Sequence, residues 1–298
     1  MVEVIFLGTS QAVPTKEKNQ AAILLRHGSE NILIDCGEGT QRQFKIAGLN
    51  ACKITKILIT HWHGDHILGL PGLLQTLALS NYPRTLEIYG PKGTKEFMTL
   101  MLRLFIFREK IKVDVHEVSE GTFFETKDFK LNALRMKHPA PCLAYSFEEK
   151  TRHRIDMNAL KKAGFKQGPW LKQLQEGKDA KIDGKIISYK KFTEEAKGKK
   201  ISFILDTGIN ENCYEISKNA DILIAEACFS KAEEQLAKER EHLTAEQIAD
   251  VAKKSKVQRL LLMHISQRYD RKEKIVLDEA KKIFKNSELA KDFMKLQV

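Results

Sequence analysis

Residues 54–66 read Ile54-Thr55-Lys56-Ile57-Leu58-Ile59-Thr60-His61-Trp62-His63-Gly64-Asp65-His66. An apolar run of strand length, rich in β-branched residues, ends in six residues that carry three imidazoles and a carboxylate. Imidazole nitrogen and carboxylate oxygen are the donors that hold zinc and related divalent cations. A strand that delivers such a cluster where it enters a loop is built to bind metal. The chemistry that follows is attack of activated water on an electrophile. The competing reading is a surface histidine cluster without metal.

Working outward, three more apolar runs each end in one ligand-type side chain. His138 follows Phe129–Met136 and precedes Pro139. Asp206 ends Ile201–Leu205 and is followed by Thr207-Gly208. His264 ends Leu260–Met263. A lone histidine after a strand is commonly structural. Three such events added to the cluster make coincidence a poor explanation, because strand ends of a layered sheet converge on one edge.

The rest of the first 150 residues reads as short strands and tight turns, with strands also at Val2–Leu7, Ala21–Leu25, Asn31–Asp35, Leu86–Tyr89 and Lys112–Val118. Helical spacing is present at Thr40–Ala47, Leu68–Ser80 and Thr94–Phe105; in the last, Phe97, Leu100, Met101 and Leu104 share a face. From Lys199 strands and helices alternate: strand Ile201–Leu205, helix Asn210–Lys218, strand Ile222–Glu226, helices Lys231–Lys238 and Thr244–Lys254, strand Leu260–His264 and a helix from Arg271 to Phe284. That alternation predicts an α/β protein whose helices cover a sheet. No tandem repeat is evident, and 1–298 is expected to form a single domain.

Between these halves, 148–198 is rich in Lys, Gly and Gln and poor in apolar periodicity, which predicts an inserted arm. Net charge is +11, and fifteen Lys/Arg against six Asp/Glu between Lys150 and Lys200 supply nine of it. A local basic excess is the footprint of a polyanionic partner, although a solvated lysine-rich surface has the same composition. Five cysteines, odd in number and without a CxxC pair, favour a reducing cytoplasm over a disulfide framework. No apolar run reaches membrane-span length, and Val2–Leu7 runs straight into Gly8, so it reads as a strand and not as a signal peptide.

The order HxHxDH, then single His, Asp and His from later strands, resembles the ligand order of metallo-β-lactamase-fold hydrolases. Further stretches resemble ribonuclease Z, the tRNA 3′-end endonuclease: Phe6-Leu7-Gly8-Thr9-Ser10 with Pro14-Thr15, Asp35 to Gln41, Ile67 to Leu74, Glu226 to Phe229 and His242 to Ala245. The resemblance covers essentially the whole chain and implies a four-layered αββα sandwich. It implies two Zn2+ per subunit, one on His61, His63 and His138, the other on Asp65, His66 and His264, with Asp206 bridging. Two such cations can clamp the attacking oxygen and the phosphoryl oxygens of an in-line displacement. Asp65 becomes the candidate general base. His242 becomes the candidate acid at the leaving oxygen, oriented by Glu226 unless that carboxylate is only a structural cap.

The same resemblance makes 148–198 a flexible exosite for the body of precursor tRNA, with Gly168-Pro169-Trp170-Leu171-Lys172 as its tip and Lys161, Lys162, Lys166 and Lys172 as candidate contacts. Trp170 is equally placed to stack on RNA or to anchor the arm's own packing. A homodimer in which the arm of one subunit serves the other is implied as well. The chain departs from the family pattern at Leu205, at Lys18 and in the proline-rich loop Pro139-Ala140-Pro141 after His138. Two rivals remain: a phosphodiesterase of the same fold acting on small substrates, which would have no use for a distant basic arm, and a non-catalytic RNA-binding protein that keeps zinc for structure.

Overall fold

A computed structural model describes residues 2–106, 111–182 and 184–298. In chain order its elements are β1 (Val2–Gly8), β2 (Ala22–His27), β3 (Glu30–Ile34), α1 (Thr40–Ile46), β4 (Lys56–Leu58), α2 (Gly64–Ile67), α3 (Leu70–Leu79), β5 (Thr85–Gly90), α4 (Thr94–Leu104), β6 (Lys112–Glu117), β7 (Gly121–Glu125), β8 (Phe129–Met136) and β9 (Cys142–Glu149). There follow β10 (Arg152–Ile155), α5 (Met157–Lys162), α6 (Leu171–Gln175), β11 (Ala180–Ile182), β12 (Lys185–Ile187), α7 (Tyr189–Phe192) and β13 (Thr193–Ala196). The last third holds β14 (Lys200–Ile204), α8 (Glu211–Ser217), β15 (Ile222–Glu226), α9 (Glu234–Arg240), α10 (Ala245–Lys254), β16 (Arg259–Met263), α11 (Lys274–Ile283), β17 (Ser287–Leu289) and β18 (Lys295–Gln297).

The chain divides into two compact units. The first comprises the stretch up to Phe124, Leu131–Phe147 and Lys200–Val298. It contains two sheets of seven strands, ordered β18-β1-β2-β3-β4-β5-β6 and β17-β16-β15-β14-β9-β8-β7. Alternate residues of the first sheet (Ile5, Leu24, Leu33, Ile57, Ile88) pack with Phe44 of α1, Leu73 and Leu77 of α3 and Met98 of α4. In the second, Ile204, Leu223, Ala225, Leu260 and Leu262 pack with Ile216 of α8, Ile248 and Val251 of α10 and Val276 of α11. The opposite parity (Phe6, Ile23, Ile32, Phe203, Ile224, Leu261) is buried too. Sheets buried on both faces, each with helices on one side, form the helix–sheet–sheet–helix layering. Continuous apolar runs such as Leu260–Met263 are what such strands require.

Two local features shape the site edge. Strand β4 ends at Leu58, short of the predicted end at Thr60; the Ile59 N–H still donates to Tyr89 O at 2.7 Å, and the Thr60 N–H turns to the Asp35 carboxylate at 2.7 Å. The turn Cys36-Gly37 lies directly on the loop after α2: the Cys36 N–H donates to His66 O at 2.7 Å, and the Gly69 N–H to Cys36 O at 2.9 Å. A Cβ on Gly69 would sit 2.1 Å from Gly37 O, so only glycine allows this approach.

The second unit comprises Glu125–Lys130 and Glu148–Lys199. Antiparallel β10 and β13 form its base, and the Glu149 N–H donates to Lys199 O at 2.8 Å, so the two ends of the insert are adjacent. Asp156 caps α5 through Asn158 N and Ala159 N. A small core of its own gathers Leu160, Leu174, Ala180, Ile187 and Phe192. Asp183, within this segment, lies outside the described residues.

Candidate active site

Three ligand-type groups form among the described residues; one is Glu226, Cys228, His242 and His264, and the other two gather the predicted metal ligands where strand ends converge. In one of these two, ligand atoms of His61, His63, His138 and Asp206 lie within 4.8 Å of one another; in the other, those of Asp65, His66, Asp206 and His264 do. His63 Nδ1 is 3.0 Å from His61 Nε2 and 3.1 Å from His138 Nε2. Asp206 joins the groups: Oδ2 is 3.7 Å from His61 Nε2, while Oδ1 is 3.4 Å from His66 Nε2 and 3.2 Å from His264 Nε2. Asp65 Oδ2 lies 3.2 Å from His66 Nε2 and 3.3 Å from His264 Nε2. The turn His63–His66 brings these about: α2 starts at Gly64 and places Asp65 and His66 in its first turn.

The donor set fits a divalent metal. His63 Nδ1 faces two ring nitrogens at once, and one proton satisfies only one of those contacts. His66 Nε2 and Asp206 Oδ1 are buried with no hydrogen-bond partner among the described residues, although 3.4 Å apart. Buried polar atoms left facing one another are what a cation between them would satisfy. Electrostatics agree. Burial opposes ionisation of Asp65 and Asp206, but the surrounding histidines hold both carboxyls well below the usual range. Burial, reinforced by His66, keeps His61 neutral, and burial lowers His138 to about 4, which leaves their nitrogen lone pairs free.

A second layer orients these ligands, and the sequence reading assigned it no role. Asp35 is wholly buried at φ 55, a left-handed conformation uncommon outside glycine. Its carboxylate accepts from Thr60 N, from Thr60 Oγ1 at 2.7 Å and from the His66 Nδ1 side at 2.6 Å. That contact directs His66 Nε2 into the site. Thr60 Oγ1 meets His61 Nδ1 at 3.1 Å, and Glu241 O meets His138 Nδ1 at 3.4 Å. His264, at φ 54, is held through its N–H to Thr9 O at 2.9 Å.

Glu226 and His242 form a separate pair beside the ligand groups. His242 Nδ1 is 3.1 Å from both Glu226 oxygens, and Thr207 N donates to Oε1 at 2.7 Å. Glu226 is wholly buried at the end of β15. Burial alone would lower the His242 pKa; the Glu226 carboxylate outweighs it and raises the imidazole to about 9. The His242 ring is 5.7 Å from that of His138 and 5.9 Å from that of His264. Thr244, two residues on, makes a capping box with Gln247 that starts α10 and so fixes the loop carrying His242.

In the second unit Lys161, Lys162, Lys166 and Lys172 are exposed. Trp170 packs against the small core, with Phe165 6.2 Å away. Pro169 is exposed, and Gly168 leaves no room for a Cβ beside the indole, which would stand 2.8 Å from it. Among the described residues no helix is long and apolar enough to cross a membrane.

Residues 2–163 match the family profile described as Anti-Pycsar protein Apyc1, a span that holds the first histidine cluster and His138 but ends before Asp206. A protein named ribonuclease Z from Methanothermobacter thermautotrophicus is 38% identical over 100% of this chain and 97% of its own length. The crystal structure of human tRNase Z, short form, superposes with a TM-score of 0.71 at 30% identity, covering 99% of each chain. A metallo-β-lactamase fold protein from Bacillus subtilis, 20% identical, covers 99% of this chain and 98% of its own at a TM-score of 0.69, which shows the shared fold. With its first half inside the Apyc1 profile and its whole length covered by ribonuclease Z sequences, this chain of metallo-β-lactamase fold belongs to the ribonuclease Z family.

Proposed function

We propose that the chain is a metal-dependent endoribonuclease that removes the 3′ trailer from precursor tRNA, leaving a 3′-hydroxyl on the tRNA and a 5′-phosphate on the trailer. The observation that carries this reading is the Glu226–His242 pair beside two ligand groups that share Asp206, in a chain matched end to end by ribonuclease Z sequences. Two Zn2+ are the proposed cations, one on His61, His63 and His138, the other on Asp65, His66 and His264, with Asp206 common to both. Bound there, they supply positive charge that acidifies water and neutralises phosphoryl oxygens.

Asp65 is the proposed general base. Its contacts to His66 and His264 both fall on Oδ2, which leaves Oδ1 to accept the proton of the attacking water. The neighbouring histidines keep it ionised at neutral pH, so the Oδ1 lone pairs are open to the water. His242 is the proposed acid. Its Nδ1 is committed to Glu226, so the proton it gives to the leaving 3′ oxygen comes from Nε2. Glu226 fixes the tautomer and stabilises the imidazolium.

The 148–198 arm is the proposed grip on the tRNA body. Exposed lysines neutralise phosphates with little sequence preference, and Lys161, Lys162, Lys166 and Lys172 around the Gly168-Pro169 turn are the candidates. Trp170 serves that turn by packing. A cytoplasmic homodimer completes the reading.

The test uses the adjacency of Glu149 and Lys199. Replacing 151–197 by a short turn should abolish cleavage of precursor tRNA and spare a chromogenic phosphodiester. Equal loss on both would make the arm part of the fold. Asp65→Ala should abolish both activities and weaken metal binding; near-normal turnover would remove Asp65 from its role.

A further inference from the structure

A cavity of about 480 Å3 is lined by Gln11, Thr15, Arg240, Gln267, Arg268 and Asp270 among others. Its size lies within the roughly 300–1,000 Å3 of small-ligand sites. Its walls come from segments that adjoin site residues in the chain. Arg240 is two residues before His242, and Gln267 is three after His264. Ser10, next to Gln11, bridges to Ile265, next to His264. The Arg268 guanidinium lies over the Phe229 ring at 5.2 Å, and the Phe229 ring is 6.1 Å from that of His242. The buried Phe229 ring thus stands between the His242 imidazole and the Arg268 guanidinium of the cavity wall.

The chemistry of cleavage says which side of the scissile bond this is. Under the proposed function, His242 protonates the oxygen that leaves, the 3′ oxygen of the tRNA's last nucleotide. That nucleotide lies on the His242 side, away from the trailer. Two guanidiniums suit a phosphate, and a guanidinium plane is also a platform for an unpaired base. Arg268 keeps Glu233 at 3.7 Å and Asp270 lines the cavity, so the positive charge is partly offset and a whole nucleotide, not a bare anion, is the fitting ligand.

We propose that this cavity seats the nucleotide bearing the leaving 3′ oxygen, with its phosphate on Arg240 and its base on the outer face of Arg268. The proposal rests on the reading of the chain as a precursor-tRNA nuclease. Arg240 and Arg268 then select and position substrate without touching the reacting atoms.

The experiment compares wild type, Arg240→Ala and Arg268→Lys on three substrates: precursor tRNA, the same RNA abasic at the nucleotide before the cut, and bis-p-nitrophenyl phosphate. Arg240→Ala should lower kcat/KM on precursor tRNA about tenfold, mainly through KM, and flatten the salt dependence by about one phosphate contact. Arg268→Lys keeps the charge and loses the plane, so its deficit should vanish on the abasic RNA. Both variants should turn over the chromogenic ester as wild type does. Unchanged cleavage of precursor tRNA by both variants overturns the proposal, as does an equal loss on the chromogenic ester. A wild type that hydrolyses the ester but not precursor tRNA sinks the nuclease reading itself, a separate failure.

Discussion

Glu226→Gln isolates the acid. The replacement keeps the shape and an oxygen for Thr207 N, so α10 and β15 are expected to stay in place. It removes the charge that raises His242 from 6.5 to about 9. Burial and His66 are then opposed by Asp206 alone, and the imidazole falls back towards its ordinary value. The two values differ by about 3 kcal/mol of imidazolium stabilisation, at 1.36 kcal/mol for each factor of ten. At pH 8 His242 is about nine-tenths imidazolium with the carboxylate and about 3% without it, a ratio of roughly thirty. Cations in the neighbouring groups lower both values together, so the difference persists. The sign is set by the acid's role: activity is lost as pH rises through the His242 pKa, so the variant should decline from a lower pH than wild type. Single-turnover cleavage of end-labelled precursor tRNA between pH 5.5 and 9.5, run as an assay range of about that width, reads this directly. A p-nitrophenolate leaves without protonation, so the chromogenic ester should show little of the deficit. A variant with an unshifted profile, or with equal loss on both substrates, would refute the reasoning.

Asp35→Asn should weaken metal binding by about 10–100-fold while the chain still folds, since His66 loses the carboxylate that directs it; metal-buffered titration followed by atomic absorption measures this. Gly69→Ala should destabilise by about 1–3 kcal/mol or more and lower metal occupancy, because its Cβ must push Gly37 O away from 2.1 Å; urea unfolding checks it. Leu223→Ala, in the wholly buried face of β15 against α10, should cost about 3–5 kcal/mol in urea unfolding without altering the site's metal stoichiometry.

The site was legible in the sequence where a single polar residue interrupts an apolar run. Asp206 and His264 each follow a buried strand and His138 an alternately buried one, and a carboxylate or imidazole at such an end has few purposes other than a site. Asp35 also ends a strand, but its turn reads only as a tight corner. Its contacts to Thr60 and His66 are long-range and leave no local trace. The same holds for β4: its apolar run continues past Leu58, but at Thr60 the N–H turns to the Asp35 carboxylate. Strand β9 was missed because Pro139 and Pro141 precede it, and β18 because three residues carry no period. The helix expected from Arg271 begins at Lys274, as Arg271 sits at φ 62, where a helix cannot start. In 148–198 the core draws Leu160, Leu174, Ala180, Ile187 and Phe192 from elements of three to six residues, too short to show amphipathic spacing. Its charge was visible; its packing was not.

The central claim is tested most directly by incubating the metal-replete protein with a 5′-labelled precursor tRNA bearing a 3′ trailer and mapping the cut and its end groups. The account predicts a single cut at the 3′ end of the acceptor stem, with a 3′-hydroxyl on the tRNA and a 5′-phosphate on the trailer. Intact RNA at full metal occupancy, or a cut that leaves a 3′-phosphate, would contradict it.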